Sequence, residues 1–221
     1  MPKIIGATLR EHREQVRTRL FDALAELIAE QGFDAVTLSQ VAARAGVGRT
    51  AVYNHFPDKE ALLVGLIMHE TTSWARALEA ALVGVLDPVD QLRTYIHAQL
   101  DLKPDYYYTP GQDLRQVVSA QTLGQLRGHV VIVERILRGV LERGVAAGAF
   151  PEQDLDVTVR LVLSCLSNRV LAQAGDERSH VVAQVEAFVL RAVGADARAL
   201  ASRAPVRSLL GDDLLYQGRS R

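Results

Sequence analysis

Residues 37–63 read TLSQVAARAGVGRTAVYNHFPDKEALL. Two short apolar-periodic segments flank Gly46, and Pro57-Asp58 separates them from the start of a third. Thr37 and Gln40 have the spacing of a capping box, which starts a helix whose apolar stripe is Leu38, Val41, Ala42 and Ala45. Gly46 closes that helix, and Val47 packs inward in the turn. The next helix, roughly Arg49 to His55, sets Val52 and Phe56 four apart toward a core. Arg49, Thr50, Tyr53 and Asn54 then lie near its outer face. Pro57 stops it, and Asp58 is a good N-cap for the helix that follows. A tight two-helix unit of this kind fits a DNA major groove. The segment therefore predicts a DNA-binding regulator whose remaining residues sense an effector or form a dimer.

Upstream, Met1 to Ala7 reads as a loose arm, and Thr8 with Glu11 repeats the capping-box spacing. Val16, Leu20, Ala23, Leu24, Leu27 and Ile28 give the first helix one apolar face, and Gly32 ends it. Downstream, a long helix is predicted from about Lys59 to near Leu86, bridging the small N-terminal unit and the remainder. Further helices are expected over about 89–102, 112–126, 128–147, 154–174 and 177–193. Prolines and glycines mark 103–111 (KPDYYYTPG) as a loop and GAFP at 148–151 as a break. The tail from Gly194 is rich in Ala, Arg and Ser, with Leu209 to Tyr216 a candidate short docked helix. No strand-like alternation and no repeat period stand out.

The 221 residues are 48% hydrophobic and 5% aromatic, with Ala, Leu, Val and Arg prominent, which favours helices over strands. The expected fold class is all-α. A three-helix helix-turn-helix domain over 1–58 precedes a larger helical ligand-binding and dimerisation domain over 59–194, then a tail over 195–221. With a formal net charge of −1, any nucleic-acid surface must be a local basic patch. Cys165 is the single cysteine, so no internal disulfide and no thiolate zinc site can form. Charged residues interrupt the N-terminus before a signal-peptide core develops, and no stretch approaches the roughly 20 apolar residues of a membrane helix. These features predict a cytoplasmic protein.

DNA binding needs helix N-termini facing phosphates, cations and hydroxyls along the backbone, and a few side chains at base edges. Thr37 and Lys59 stand at helix N-termini, and Tyr53 and His55 offer donors flanking the second helix of the pair. Arg49, Thr50 and Ala51 lie at its start, where Arg suits guanine and the Thr and Ala methyls suit thymine. Arg10, Arg13, Arg17 and Arg19 could extend the phosphate surface. Glu11 and Glu14 interrupt them, so a solvated, ion-paired face is an equal alternative, and Arg44 is similarly ambiguous.

The pattern AxxAGVxxxxVYxHFPxKEALL, carried by Ala42, Ala45, Gly46, Val47, Val52, Tyr53, His55, Phe56, Pro57, Lys59, Glu60 and Leu62, resembles the N-terminal domain of the TetR family of transcriptional regulators. GFDAVTL, approaching Leu38, also matches, and the close likeness covers about Val16 to Leu66. The resemblance implies an all-helical homodimer with three DNA-binding helices, a ligand pocket among the later helices, and a dimer interface made by the last two long helices. It carries phosphate contacts onto Thr37, Tyr53, His55 and Lys59, and base reading onto Ser39, Arg49, Thr50 and Ala51. Gly48 stands where the family often has Ser, and Thr50 where it often has Gly.

For an effector site, the large groups are Trp74, Tyr95, His97, Tyr106, Tyr107 and Tyr108, with Asn168 on a mostly apolar helix. Trp74 and Tyr95 have plain core packing as their competing reading, and Asn168 has the dimer seam. Histidines 69, 97 and 129 are too scattered for a metal site, and no cofactor is expected. A helical enzyme is a weak alternative, because no nucleophile–base pair, phosphate-cradling loop or metal-ligand spacing is found. A helical protein-binding dimer without specific DNA recognition is a further one, and an activator differs from a repressor in no feature of the sequence. Tyr53→Ala and Lys59→Ala are expected to weaken binding to all sequences and lower its salt sensitivity, and Arg49→Ala to change sequence preference.

Overall fold

The first helix, α1 (Ile5–Gln31), starts ahead of the Thr8 cap expected for it and ends at Gly32, as anticipated. A computed structural model describes residues 5–101, 118–166 and 177–196. After α1 come α2 (Leu38–Arg44), α3 (Arg49–His55), α4 (Lys59–Leu82), α5 (Pro88–Asp101), α6 (Ala120–Ala146), α7 (Leu155–Cys165) and α8 (Arg178–Ala192). Every element among the described residues is helical, so the fold is all-α. No helix among them is long and apolar enough to cross a membrane.

Two ends differ from the pattern-based reading. The fourth helix stops at Leu82 rather than near Leu86, because Gly84 takes φ +81, a left-handed conformation that ends a helix and that glycine adopts without penalty. Residues 120–146 form one continuous helix where a break near Gly128 was expected. A lone glycine costs a helix interior about 1 kcal/mol, too little by itself to break a helix of this length. The segments 112–117 and 167–174, expected to be helical, and the tail from residue 197 lie outside the described residues.

The chain divides into two compact units, residues 1–70 with 104–128 and residues 71–103 with 129–221. The first therefore extends past residue 58 to take in the start of α4 and of α6. Its core joins the α1 face (Leu20, Leu24, Leu27, Ile28) to Leu38, Val41, Val52, Phe56, Leu62, Leu63 and Leu66, and to Leu126 of α6. Phe21 and Phe56 meet at 5.7 Å beside Gly65, where any side chain would strike both rings. Glu60, in the first turn of α4, accepts from the Ser119 amide at 3.0 Å, from Ser119 Oγ at 2.7 Å and from Thr122 Oγ1. Those hydroxyls, Thr122 first, hold the Glu60 carboxyl below its ordinary range against the opposing effect of burial. This tie sets the N-terminus of α6 against α4 within the first unit.

The second unit packs Trp74 and Leu78 with Leu92, Tyr95, Ile96, Leu137, Val140, Phe150, Val162 and Leu190. Its polar centre is Arg93, 3% exposed, which donates to Asp90 at 2.8 Å and to Glu186 at 3.1 Å. The other Glu186 oxygen meets His97 Nε2 at 2.7 Å. Hydrogen bonding to His97 above all, then to Arg93, keeps the Glu186 carboxyl below its usual range although burial opposes this. α5 is thereby tied to α8.

Candidate nucleic-acid interface

The α2 N-terminus is closed by the capping box expected from Thr37 and Gln40. Thr37 Oγ1 accepts from the Gln40 amide at 3.3 Å, and the Thr37 amide donates to Gln40 Oε1 at 2.8 Å. The α2 C-terminus carries Gly46 at φ +64, with Gly46 N donating to Ala43 O and Val47 N to Ala42 O. This is a Schellman turn, and it needs a residue free to enter the left-handed region. No atom lies within 4 Å of where a Gly46 side chain would begin, so the requirement is conformational and not steric. Thr37→Ala should cost about 1 kcal/mol of stability, with Thr37→Ser close to wild type. Thermal unfolding would measure it, and an unchanged melting temperature for Thr37→Ala would refute the cap's contribution.

Gly48 caps α3 in an extended conformation with no side-chain hydrogen bond, and α3 then runs seven residues. Val52 is fully buried and Phe56 nearly so, which fixes the rotation of α3 about its axis. Arg49, Thr50 and Asn54 are consequently exposed, Tyr53 is 48% exposed, and Ala51 and His55 are half-buried. Ser39, next to the α2 cap, is also exposed. The surface brings together donors and cations at the start of α3, on one side of an apolar anchor. Such an arrangement suits hydrogen bonding to base edges and phosphates.

Two cations expected on this surface are already engaged. The Lys59 ammonium donates to three backbone carbonyls of the α1–α2 connection, Phe33 at 3.2 Å, Asp34 at 2.9 Å and Val36 at 3.3 Å, and lies 4.8 Å from the Phe33 ring centroid. An ammonium has three protons, so these acceptors match its donors. The side chain is thus a fastener for that connection. Arg44 forms a bidentate pair with Glu30, at 2.8 Å for both bonds, and reaches Glu26 at 3.1 Å. Of its two open readings, the ion-paired one is what the structure contains.

Between α1 and the C-terminal end of α3 lies a cleft of about 560 Å³, lined among others by Arg10, Arg13, Glu14, Arg17, Asn54 and His55. Burial, then the charges of Arg13 and Arg17, push the His55 imidazole below its ordinary range and toward the neutral form. Of the four arginines that the sequence offered as an extension of the phosphate surface, Arg10, Arg13 and Arg17 line this cleft and Arg19 does not, and α3 supplies the opposite wall.

Of the candidate effector residues, Trp74 and Tyr95 meet edge-to-face at 6.1 Å inside the second core. Trp74 Nε1 donates to Ala98 O at 3.2 Å, and the fully buried Tyr95 donates its hydroxyl to Val133 O at 3.3 Å. Burial pushes the Tyr95 phenol far above its normal range. Both behave as core residues, and their donors are used within the fold. His97, half-buried, is the partner of Glu186. Tyr106, Tyr107, Tyr108 and Asn168 lie outside the described residues. Among the described residues no group of three or more His, Cys, Asp or Glu is placed to hold a metal ion.

Residues 20–66 match the family model for bacterial regulatory proteins of the tetR family. The chain is 29% identical over 136 residues to the HTH-type transcriptional repressor Rv1474c of Mycobacterium tuberculosis, covering 58% of this chain and 71% of that protein. It is 35% identical over 102 residues to the HTH-type transcriptional repressor LfrR of Mycolicibacterium smegmatis, covering 44% of this chain and 52% of that one. In structure it resembles the transcriptional regulator FadR of Bacillus subtilis in complex with stearoyl-CoA. The TM-score is 0.69 at 20% identity, over 80% of this chain and 97% of that one, which is a likeness of fold. With the capped α2, the Gly46 turn and the anchored α3 placed as described, residues 20–66 are an N-terminal domain of the tetR family of bacterial regulatory proteins.

Proposed function

We propose that this chain is a transcriptional repressor that binds a pseudo-palindromic operator as a homodimer and is released by a small-molecule effector. The observation that carries the reading is the rotation of α3. Val52 is buried, so Arg49, Thr50, Tyr53 and Asn54 face outward together. The roles are base reading for Ser39, Arg49, Thr50 and Ala51, and phosphate contact for Thr37, Tyr53 and His55. Repression is favoured over activation by the names of Rv1474c and LfrR.

Dimerisation is supported by an apolar surface on the last two described helices. Val157, Leu161 and Phe188 are 43%, 62% and 56% exposed, although the opposite faces of α7 and α8 are buried through Val159, Val162, Val189 and Leu190. A two-fold dimer would set two α3 helices into successive major grooves about 34–36 Å apart. An effector weakens DNA binding only through its differential affinity for the DNA-competent and DNA-incompetent conformers. The boundary between the compact units falls within α4 and within α6, so these helices are the natural carriers of that preference.

The test is retention of sheared genomic DNA by the purified protein near physiological salt, followed by sequencing. A short inverted repeat is the expected result; uniform retention that disappears as salt rises would overturn specific recognition and favour a non-specific helical dimer. On the recovered operator, Tyr53→Ala should weaken binding to all sequences alike. Arg49→Ala should instead relax preference at one base pair per half-site, by about 1–3 kcal/mol. Equal effects of both variants on cognate and scrambled DNA would refute the assignment of Arg49.

A further inference from the structure

The arginines of the first unit fall into two kinds. Arg44 is consumed by Glu26 and Glu30. Arg10, Arg13 and Arg17 make no ion pair with any described residue, although they share one wall of the cleft beside α3. Their spacing of three and then four residues stacks them on one face of α1. A single carboxylate, Glu14, lines the same cleft.

Arg17 is the best fixed of the three. Its guanidinium lies 5.7 Å from the Phe21 ring centroid and 5.9 Å from that of Phe56. Its Nε is buried and has no hydrogen-bond partner. A buried donor without an acceptor is a standing cost that an incoming oxyanion relieves, and guanidinium groups suit phosphate oxygens in charge and shape. The far wall contributes Asn54 and His55 from the last turn of α3, at the opposite end of that helix from Arg49. His55 sits in the same positive field.

We propose that the α1–α3 cleft is a phosphate site, formed by Arg10, Arg13 and Arg17 with Asn54 and His55, that seats one backbone phosphate of bound DNA. The source is the DNA backbone because the cleft adjoins the exposed face of α3 and opens to solvent through the exposed side chains of Arg10 and Arg13. The inference rests on the DNA-binding reading above and adds α1 to it. The alternation of Arg with Glu along α1 does not neutralise this face, because Glu11 is outside the lining and Glu14 is one carboxylate against three guanidiniums within it.

The test is equilibrium binding of the full chain to its selected operator between roughly 50 and 200 mM salt. Arg13→Ala should lower affinity several-fold at the upper end and make the salt slope shallower by about 0.9 per bound subunit, with sequence preference retained. Arg17→Lys keeps the charge but lacks the Nε donor. It should lose affinity several-fold with little change in slope, and its thermal melt guards against misfolding. Arg19→Ala, outside the cleft, should match wild type. Wild-type affinity and slope for Arg13→Ala would overturn the inference while leaving operator binding intact. So would an equal loss from Arg19→Ala, which would mark a general charge effect. If the unmodified protein shows no operator preference, the functional reading itself fails. Inorganic phosphate titrated into the protein without DNA, followed by the His55 ring resonances, separates the sources. Saturation at low millimolar phosphate, with DNA affinity indifferent to Arg13→Ala, would make this a free-anion site and overturn the DNA assignment.

Discussion

The double substitution Leu161→Arg with Phe188→Arg should convert the protein to a monomer and lower operator affinity on the order of 10²-fold. Both residues are more than half exposed in the single chain, so neither supports its core. The double variant should therefore keep its helical circular dichroism and melting behaviour. In a two-fold dimer the same patch meets itself, and each new arginine would face like charge across an apolar seam. Loss of the dimer removes the second half-site contact, and with it the gain from a tethered second binding event. Sedimentation at micromolar concentration measures the first effect and operator titration the second. A persistent dimer would place the interface elsewhere. A monomer with undiminished affinity would show that operator binding does not depend on pairing.

Lys59→Met should destabilise the protein by roughly 2–3 kcal/mol and leave the salt slope of DNA binding unchanged. Methionine keeps an aliphatic stem against Phe33 and removes the ammonium that holds the carbonyls of Phe33, Asp34 and Val36. Those carbonyls lie in the connection that leads into the Thr37 cap, so their release loosens the entry to α2. Hydrogen bonds to a charged donor are worth about 1.5–3 kcal/mol each. The total is held well below three times that figure because the group is partly solvated. Denaturant unfolding gives the stability, and affinity against salt gives the charge count. A shallower slope with normal stability would return Lys59 to the role of a side-chain phosphate contact.

The helix-turn-helix was legible because its signals are local. Capping of Leu38 by Thr37 and Gln40, closure at Gly46, and the spacing of Val52 from Phe56 each depend on residues a few positions apart. Backbone sterics and helical period dictate their outcome. α3 runs Arg49–His55, as the spacing predicted, for this reason. The roles of Lys59 and Arg44 were not legible, because their partners lie 14 to 26 residues away and a cation in a sequence shows its charge but not its acceptor. Trp74 and Tyr95 were ambiguous for a similar cause. An aromatic at a helical core position reads alike whether it lines a cavity or fills one, and only its packing separates the two.

By itself, then, the sequence determined an all-α chain with a capped and correctly turned α2–α3 unit and the face that α3 presents, since short-range backbone conformation and periodic apolar burial decide those. Tertiary structure decided which charges remain available. It paired Arg44 with Glu26 and Glu30, gave the Lys59 ammonium to three carbonyls, and tied Glu60 to Ser119 and Thr122. It left Arg10, Arg13 and Arg17 without counter-ions among the described residues, opposite the end of α3. Electrostatic contact between side chains depends on distances across the fold, and those are set by how the helices pack rather than by how the residues follow one another.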